Sequence, residues 1–375
     1  MRNCARTPAR GGNPRPARHG ARLAGGVSIP RHLLASIGLA VVVFVVAGEG
    51  LTRVSRIVDR LNGFPRALFQ ATDDPDCPYV MRPGVDLMVR GVRVQVNDYG
   101  LRSRPLSMRP AAGTHRLLAL GDSATFGEAV AVEDAWPSVL ERELARRGRQ
   151  GWEVVNGGVE GWNSLAEVAW LSARGLALAP ETIVVAVNLN DFDYTPHLGP
   201  LGILTLEPAH PSDEYSPASW SEFYFVIRWL VRTGGHGWVS DPTGAAALPA
   251  DAARWHPLDR LVSKIRKNYY AQPTDDRWAI YTRSLHRFGD LCRENEIRLL
   301  VAILPDGDQF TGVDADLTPQ EKLRAVCVEA GLDCLDLFDA FRAAGGDTMF
   351  RDIMHPNEAG YRLVAAQIAD HLAGR

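Results

Sequence analysis

The sequence has few of the residues that build transition-metal sites. It holds five cysteines and ten histidines among 375 residues, and it contains no His-x-His pair and no cysteine-rich spacing of the kind that binds a metal. Zinc is usually held by three or four such ligands, many of them at short spacing. The best alternative set combines one histidine, His355, with Asp122, Asp191 and Asp352. This combination is poor for a transition metal, so a metal-dependent reaction is disfavoured.

Acidic residues are missing from the N-terminus, where arginine is abundant. Residues 1–31 contain seven of the 41 basic residues and none of the 44 acidic ones, so the remaining chain carries a formal charge of −10. An acidic body is not typical of proteins that bind nucleic acid, and we predict no nucleic-acid partner. The composition of residues 1–32, rich in Arg, Pro and Gly, predicts a disordered arm.

Long apolar runs are absent except for one. Leu33–Gly48 is uncharged, and its sixteen residues are at the short edge for a spanning helix. Arginines precede it and Glu49 follows it, an asymmetry that places the N-terminus in the cytoplasm. A cleaved signal peptide with its cleavage site at Val45–Ala47 is the alternative, but the basic leader is long for one. We predict a single-pass anchor over residues 33–50, a cytoplasmic arm over 1–32 and a periplasmic body.

A change of pattern separates a linker from the main domain. Residues 51–112 begin with apolar positions at helical spacing, and we interpret them as a juxtamembrane linker followed by a small β hairpin. Valines alternate with polar residues over Val92–Val96, which predicts a half-buried strand. Val85–Val89 is the predicted partner strand across the Arg90-Gly91 turn.

From residue 113 to 375, short apolar runs alternate with longer amphipathic segments, which predicts a parallel sheet covered by helices on both faces. Residues 194–275 interrupt this alternation for longer than a loop usually does, and we interpret them as an insertion over the carboxyl edge of the sheet. Strands are predicted at Leu117–Leu120, Trp152–Val155, Ile183–Val187, Ile297–Leu304 and Cys334–Phe338. Helices are predicted at Trp136–Arg147, Leu165–Leu178, Ser221–Val231, Trp278–Glu294, Pro319–Ala330 and Glu358–Leu372.

One stretch joins a predicted buried strand to a candidate nucleophile. The apolar run Leu117–Leu120 ends at Gly121-Asp122-Ser123, and open α/β sheets bind ligands at the carboxyl ends of their strands. Ser123 is expected to sit exposed at the start of the next helix, whose N–H groups favour an oxyanion. The plain structural alternative is a strand-to-helix loop in which the serine caps the helix.

A serine hydroxyl needs a positioned base to react, and His355 is the best candidate. Pro356 disfavours helix at His355, so the histidine belongs to a loop before the last helix, and Asp352 can fold back on its imidazole. An oxyanion needs hydrogen-bond donors as well. Three can converge at strand ends: the Ser123 N–H, a glycine N–H within Asn156–Gly161, and the Asn190 side chain.

In this order the motifs resemble the sequence blocks of the SGNH (GDSL) hydrolases. One departure is Asn188, which stands where the family usually has glycine. The apolar anchor and the segment Asn97–Arg102 also resemble a membrane-anchored bacterial branch of the family. The resemblance assigns the nucleophile and first oxyanion donor to Ser123, the second donor to Gly161, the third donor to Asn190, the base to His355 and its orienting acid to Asp352.

The resemblance implies a flavodoxin-like three-layer α/β/α sandwich with a parallel central sheet, preceded here by the hairpin and the transmembrane helix. It also implies ester hydrolysis by a Ser-His-Asp mechanism without metal or cofactor. Family members act on lipids, thioesters, acetylated sugars and peptidoglycan. Because the body is expected outside the cytoplasm, the favoured substrate is an acylated, above all O-acetylated, extracytoplasmic glycan. The alternatives are an O-acetyltransferase on exported polysaccharide, a lipase or phospholipase, and a non-catalytic glycan-binding subunit.

The residues beside the sequence blocks favour a short acyl group. They are small or polar apart from Trp162, which directly follows Gly161. Its aromatic face suits a sugar ring as well as an alkyl chain. We therefore expect a short-acyl pocket with a glycan lying across its rim.

Two cysteines stand close together in the sequence. Cys327 is near the end of a predicted helix and Cys334 opens the next strand. In an oxidising compartment they can form a local disulfide, and two buried thiols are the alternative.

Overall fold

The computed structural model describes residues 30–62, 64–189, 197–199, 201–205, 220–233, 276–311 and 315–374. It divides the chain into two units, Met1–Gly48 and Glu49–Arg375. Three sets of sequence-based predictions lie outside the described residues: those for the N-terminal arm, for Asn190 and Asp191, and for most of the insertion.

The N-terminal helix α1 spans Arg31–Ser55 and contains the apolar run. Within the described residues it is the one helix that is long and apolar enough to cross a membrane. Most of its large apolar side chains are exposed, which suits a lipid-facing helix or a signal sequence better than a core helix. Arg56 interrupts the helix with a left-handed φ of 51°, and the short helix α2 (Ile57–Asn62) follows.

A short antiparallel pair that the sequence did not predict follows these helices. Strand β1 (Phe69–Ala71) pairs with β2 (Tyr79–Met81). Each strand has three residues, too few for an alternating pattern to be recognised. The Tyr79 hydroxyl donates to the Glu160 carbonyl at 2.8 Å, so the pair is attached to the main domain beside the candidate site.

The predicted hairpin is present in the structure. Strand β3 (Asp86–Val89) pairs antiparallel with β4 (Val92–Gln95). The two turn residues, Arg90 and Gly91, have φ values of 46° and 81°. A two-residue type I′ turn needs positive φ at both central positions. This backbone conformation sets the direction of the Arg90 side chain.

The main domain alternates strands and helices, as predicted. Its elements are β5 (His115–Gly121), α3 (Ser123–Phe126), α4 (Trp136–Arg146), β6 (Trp152–Asn156), α5 (Ser164–Ala173), β7 (Thr182–Val187), β8 (His197–Leu198), β9 (Leu204–Thr205), α6 (Glu222–Thr233), α7 (Asp276–Glu294), β10 (Arg298–Ile303), α8 (Thr318–Ala330), β11 (Asp333–Asp336), α9 (Phe338–Ala343) and α10 (Glu358–Ala373). Helix α6 is the helix predicted inside the insertion, and the short antiparallel pair β8–β9 precedes it.

Five strands of the described chain form one parallel sheet, in the order β6-β5-β7-β10-β11. Numbered along the chain within the sheet, this is the order 2-1-3-4-5 of flavodoxin-like folds. Helices α4 and α10 pack together on one face, and α5 and α7 pack together on the other. A separate apolar cluster lies on each side of the sheet. The predicted three-layer sandwich with a parallel central sheet is confirmed.

Two predicted boundaries in this domain are wrong. The sequence predicts one helix over Leu165–Leu178, but α5 ends at Ala173 and Gly175–Leu178 forms a separate 3₁₀ turn. The strand predicted at Cys334–Phe338 ends at Asp336. The Asp336 carboxylate accepts a hydrogen bond from the N–H two residues later, at 3.0 Å, and this contact stabilises the start of α9 instead of a longer strand.

The cysteines within the described residues are free thiols. Interaction with Cys327 is the main cause that raises the pKa of Cys334. Both residues are thiols in the structure, Cys327 buried and Cys334 half-buried. Burial raises the pKa of Cys77 and of Cys292 to about 12. These two thiols stay protonated at neutral pH and are poor nucleophiles.

Candidate active site

The turn between β5 and α3 places Ser123 where the strand order of the sheet reverses, the usual ligand position in such folds. Gly121 has a φ of 154°, and a Cβ there would lie 2.2 Å from Thr125 Oγ1, so the turn requires glycine. Asp122 is the N-cap of α3, and its carboxylate accepts from the Ala124 N–H at 2.9 Å. Ser123 is the first residue of the helix and is 5% exposed. The expectations of an exposed serine and of a serine cap are both wrong.

His355 and Asp352 reach Ser123 from the loop before α10. Ser123 Oγ lies 2.9 Å from His355 Nε2, although 232 residues separate the two in sequence. On the other side of the ring, Nδ1 lies 2.7 Å from Asp352 Oδ2. The second oxygen of Asp352 accepts from the backbone N–H groups of Met354 and His355 at 2.9 and 2.8 Å. A hydroxyl, an imidazole and a carboxylate in this order can move a proton from Oγ to Nε2.

Burial and nearby charges have opposite effects on the pKa of the His355 imidazole. Burial lowers the pKa of His355, but the charge and hydrogen bond of Asp352, helped by the charges of Glu160 and Asp122, outweigh it and leave the pKa raised above 6.5. Burial raises the pKa of Asp352, whereas the contacts with His355 and two backbone N–H groups bring it down to about 2. Asp352 is therefore ionised at neutral pH, and His355 gains a proton more readily than a free histidine.

The predicted oxyanion donors are only partly described. The Ser123 N–H lies at the start of α3, and Gly161 lies after β6 with a left-handed φ of 72°. Asn190 lies outside the described residues. Asn188, which stands in place of the family's glycine, donates from Nδ2 to Asp122 Oδ2 at 3.3 Å. This departure therefore adds a contact to the residue that caps α3.

A glutamate that sequence analysis missed contacts the same imidazole. Glu128 is 4% exposed, and its Oε2 lies 2.7 Å from His355 Nε2. Its other oxygen pairs with the guanidinium of Arg90 in the hairpin turn. That guanidinium lies 4.5 Å over the ring of Phe64. A glutamate after a glycine usually belongs to a solvated turn, so nothing local in the sequence marks Glu128.

Arg102 holds the loop that carries Glu128. It is the last residue of the Asn97–Arg102 segment, and it is fully buried. Its guanidinium donates to carbonyl oxygens on both sides of Glu128, those of Phe126, Gly127 and Val130, at 2.7 to 2.8 Å. The sequence motif was visible, but its role as a support for this loop appears only in three dimensions.

A second unpredicted acid, Glu160, is buried beside the same groups. It is 2% exposed, and its Oε1 has no hydrogen-bond partner within the described residues. Burial raises the pKa of Glu160 to about 7, against the opposing charges of Arg90 and His355. Glu167 in α5 is also buried with neither carboxyl oxygen paired in the described chain, and burial raises its pKa well above 4.5. Glu160 can therefore accept or donate a hydrogen bond near neutral pH.

Trp162 does not line the rim of the site. Its side chain is 1% exposed, and its Nε1 donates to the Tyr79 carbonyl at 3.1 Å. Its ring lies 6.0 Å from that of Trp170. Trp162 is a core residue that joins the β1–β2 pair to the main domain, so the expectation of an aromatic sugar platform at this position is wrong.

Comparison with protein families identifies the class of protein. The family model described as GDSL-like lipase/acylhydrolase matches residues 119–363, a span that includes Ser123, Asp352 and His355. The chain belongs to the GDSL-like lipase/acylhydrolase family. It is accordingly an ester-hydrolysing enzyme, and its parallel sheet is that of the GDSL fold.

The chain is also similar, at low sequence identity, to several solved structures. A comparison with curated proteins finds no match to the sequence. The lipase/acylhydrolase from Enterococcus faecalis is 15% identical over 70% of this chain and 97% of its own, with a TM-score of 0.41. The acetyl xylan esterase AlAXEase is 12% identical over 68% and 99%, with a TM-score of 0.38. A two-domain esterase active on acetylated mannans is 14% identical over 70% and 50%, with a TM-score of 0.40.

Proposed function

We propose that this acylhydrolase is a serine esterase in which Ser123 is the nucleophile, His355 the general base and Asp352 the acid that orients the base. The observation that carries the proposal is the 2.9 Å contact between Ser123 Oγ and His355 Nε2. The 2.7 Å contact between His355 Nδ1 and Asp352 supports it, because a carboxylate there holds the ring in the tautomer that leaves Nε2 free to accept a proton.

The proposed reaction has two halves. Ser123 Oγ attacks the ester carbonyl while His355 Nε2 takes its proton, and the imidazolium then gives that proton to the leaving alcohol. Water attacks the acyl-enzyme with His355 again as base, and the proton returns to Ser123 Oγ as the carboxylic acid leaves. Asp352 stays ionised throughout, in agreement with its pKa of about 2.

The oxyanion that forms in each half needs donors fixed in advance. We assign this role to the N–H groups of Ser123 and Gly161 and to the side-chain amide of Asn190. The first two are backbone groups, so no side-chain rotation is needed to aim them.

For the substrate we propose short acyl groups, acetyl above all, on an extracytoplasmic glycan. Glu128 and Glu160 are buried close to His355. Such acceptors can bind the hydroxyl groups of a sugar, whereas a long alkyl chain packed against them would leave them desolvated without a partner. A lipase needs a continuous apolar groove beside its serine, and this acidic surrounding opposes one.

The length of the acyl group tests this substrate assignment. We expect kcat/KM to be highest for acetyl esters and to fall steeply from butyryl onward, because a longer chain must pack against acidic groups. The measurement is a series of 4-nitrophenyl esters, from acetyl to octanoyl, hydrolysed by the full-length enzyme in detergent. Better hydrolysis of octanoyl or longer esters would replace the glycan assignment with that of a lipase.

For the location we propose that α1 is an uncleaved anchor with the N-terminus in the cytoplasm and the catalytic domain in the periplasm. The arginine-rich arm on one side of the apolar run and the acidic Glu49 on the other support this orientation. Polymeric acylated glycans of the envelope would then be accessible to the enzyme.

Reporter fusions test the orientation. A reporter that is active only in the periplasm should be active when fused after residue 60 and silent when fused before residue 30, because only the first fusion point follows the anchor. A reporter that is active only in the cytoplasm, fused at the same two points, is the matched control and should give the opposite pattern. Reversal of both patterns would contradict the proposed location.

A further inference from the structure

One nitrogen of the candidate site has two partners. His355 Nε2 lies 2.9 Å from Ser123 Oγ and 2.7 Å from Glu128 Oε2. A ring nitrogen presents either one proton or one lone pair. Without its proton Nε2 accepts from the Ser123 hydroxyl, and with its proton it donates to the Glu128 carboxylate. Glu128 Oε2 therefore occupies the position of an oxygen that receives the proton from Nε2. In the first half of the proposed reaction, the oxygen that receives this proton belongs to the leaving alcohol.

The backbone of Glu128 and one of its carboxylate oxygens are held in place, whereas Oε2 contacts the imidazole. Arg102 donates to the carbonyl oxygens on both sides of it, which fixes the backbone of its loop. Its second carboxylate oxygen is paired with Arg90, and Arg90 is itself placed by the positive φ of the hairpin turn and by its stacking over Phe64. When the oxygen of a leaving alcohol takes the place of Oε2 beside Nε2, the Glu128 carboxylate must turn away from the ring, and its pairing with Arg90 keeps it next to the alcohol.

We propose that Glu128 and Arg90 form a subsite for a leaving alcohol that carries further hydroxyl groups, such as a sugar ring, and that this subsite selects it over alcohols without them. The inference rests on the proposed esterase function and extends it by naming two residues that determine specificity. Glu128 accepts a hydrogen bond from a hydroxyl next to the ester, and the Arg90 guanidinium donates to that or a neighbouring oxygen. Neither residue belongs to the sequence blocks that suggested the reaction.

The surroundings of the pair agree with a polyhydroxyl ligand. The Glu160 Oε1 is buried without a partner in the described chain and offers one more polar atom close to Arg90 and His355. The Arg90 side chain is 37% exposed, so the subsite opens to solvent on the side of the hairpin, where a polymer can enter. An alcohol without further hydroxyl groups would displace Glu128 Oε2 from Nε2 and cover it without a new hydrogen bond, which weakens the binding of that alcohol.

The test compares two acetyl esters with the full-length enzyme in detergent. Methyl 3-O-acetyl-glucopyranoside has free hydroxyl groups on both sides of the ester, and cyclohexyl acetate has a ring of the same size with none. We expect Glu128→Ala to lower the ratio of the two kcat/KM values, sugar acetate over cyclohexyl acetate, by about 10- to 100-fold, the loss typical of one or two hydrogen bonds to a charged group. Arg90→Ala should lower the same ratio by less.

Arg93→Ala is the matched control, because Arg93 lies in the same hairpin but pairs with Asp86 on its exposed side. It should leave the ratio unchanged. A ratio that is unchanged or increased in Glu128→Ala would overturn the proposal, and this holds even if both rates fall together, since a purely structural role of the Arg90–Glu128 pair affects both esters equally. If Glu128→Ala does not fold, Arg90→Ala decides by the same ratio. Lack of activity of the unmodified enzyme on both esters would contradict the proposed function itself.

Discussion

Replacing Ser123 by alanine is expected to abolish ester hydrolysis almost completely, with a loss of about 10⁴-fold or more in kcat. In the proposed mechanism Ser123 Oγ is the atom that forms the covalent bond, and His355 Nε2 lies 2.9 Å from it. With the oxygen removed, His355 can still activate water, but water is not held in the geometry of the attacking atom. The residual rate of hydrolysis should therefore be close to the rate that the oxyanion donors support without the serine nucleophile.

The fold should tolerate the loss of the Ser123 hydroxyl. Its contacts are with His355 and, at 3.3 Å, with Asp122, while the turn geometry depends on Gly121 and on the Asp122 cap. Alanine is also the better helix former, so we expect the free energy of unfolding to change by about 1 kcal/mol or less. Activity assays paired with thermal unfolding monitored by circular dichroism measure both effects.

Ser164→Ala provides the matched control for this variant. Ser164 is also a buried serine and also the first residue of a helix, α5. It should keep its activity. A folded and pure Ser123→Ala sample that retains more than a few per cent of the esterase activity would refute the serine mechanism.

Asp352→Asn is expected to lower kcat by about 10³- to 10⁴-fold, as in other hydroxyl–imidazole–carboxylate sites. The amide that replaces the carboxylate would be neutral and could present an N–H to Nδ1, which favours the tautomer with a proton on Nε2. That tautomer cannot accept the proton of Ser123. The backbone N–H bonds that the carboxylate accepts from Met354 and His355 can be kept by the amide oxygen, so the loop should stay in place.

The dependence of activity on pH distinguishes this role from a structural one. In the native enzyme kcat/KM should fall as the pH drops through a His355 pKa raised above 6.5, because only the neutral imidazole can accept a proton. Burial acts to lower the pKa of His355, and the Asp352 charge outweighs it. Without that charge the acidic limb of the profile should move to lower pH.

Asp339→Asn is the control for the Asp352 variant, since Asp339 is exposed and pairs with Arg342 on the surface. Its pH profile should match that of the native enzyme. An Asp352→Asn profile with an unchanged acidic limb would mean that another group titrates, and an Asp352→Asn enzyme of nearly native rate would remove Asp352 from the mechanism.

Much of the fold could be predicted because its signals are local. A buried strand, a half-buried strand and a surface helix differ in the period of their apolar residues. The sequence pattern therefore indicates the type of three elements: β5 with its apolar run before Gly121, β4 with its alternating valines, and the amphipathic α4. The order of the strands has no such signal. The β1–β2 pair was missed for the same reason, because three residues cannot display a period.

In the candidate site, too, residues with a local sequence signal could be predicted and residues without one could not. Ser123, Asp352 and His355 could be proposed from the sequence because their motifs consist of neighbouring residues. One motif is a serine next to a glycine turn, and the other is an aspartate three residues before a histidine. Glu128 and Arg90 could not, because an isolated glutamate and an isolated arginine usually lie in solvent. Burial of Glu128 depends on Arg102, and the position of Arg90 depends on the twist of a hairpin that is far from the active-site loop in sequence.

The amino-acid sequence alone thus determined the class of fold, the chemical type of the reaction and the candidate residues, because periodicity and short motifs are properties of neighbouring residues. The tertiary structure decided which residues meet: it brings Ser123 to His355 across 232 positions, buries Trp162 in the core, and places Glu128 against the imidazole of His355. These contacts depend on how strands are ordered and how one loop packs on another. That order is set by the sum of many weak long-range interactions, which no single stretch of sequence displays.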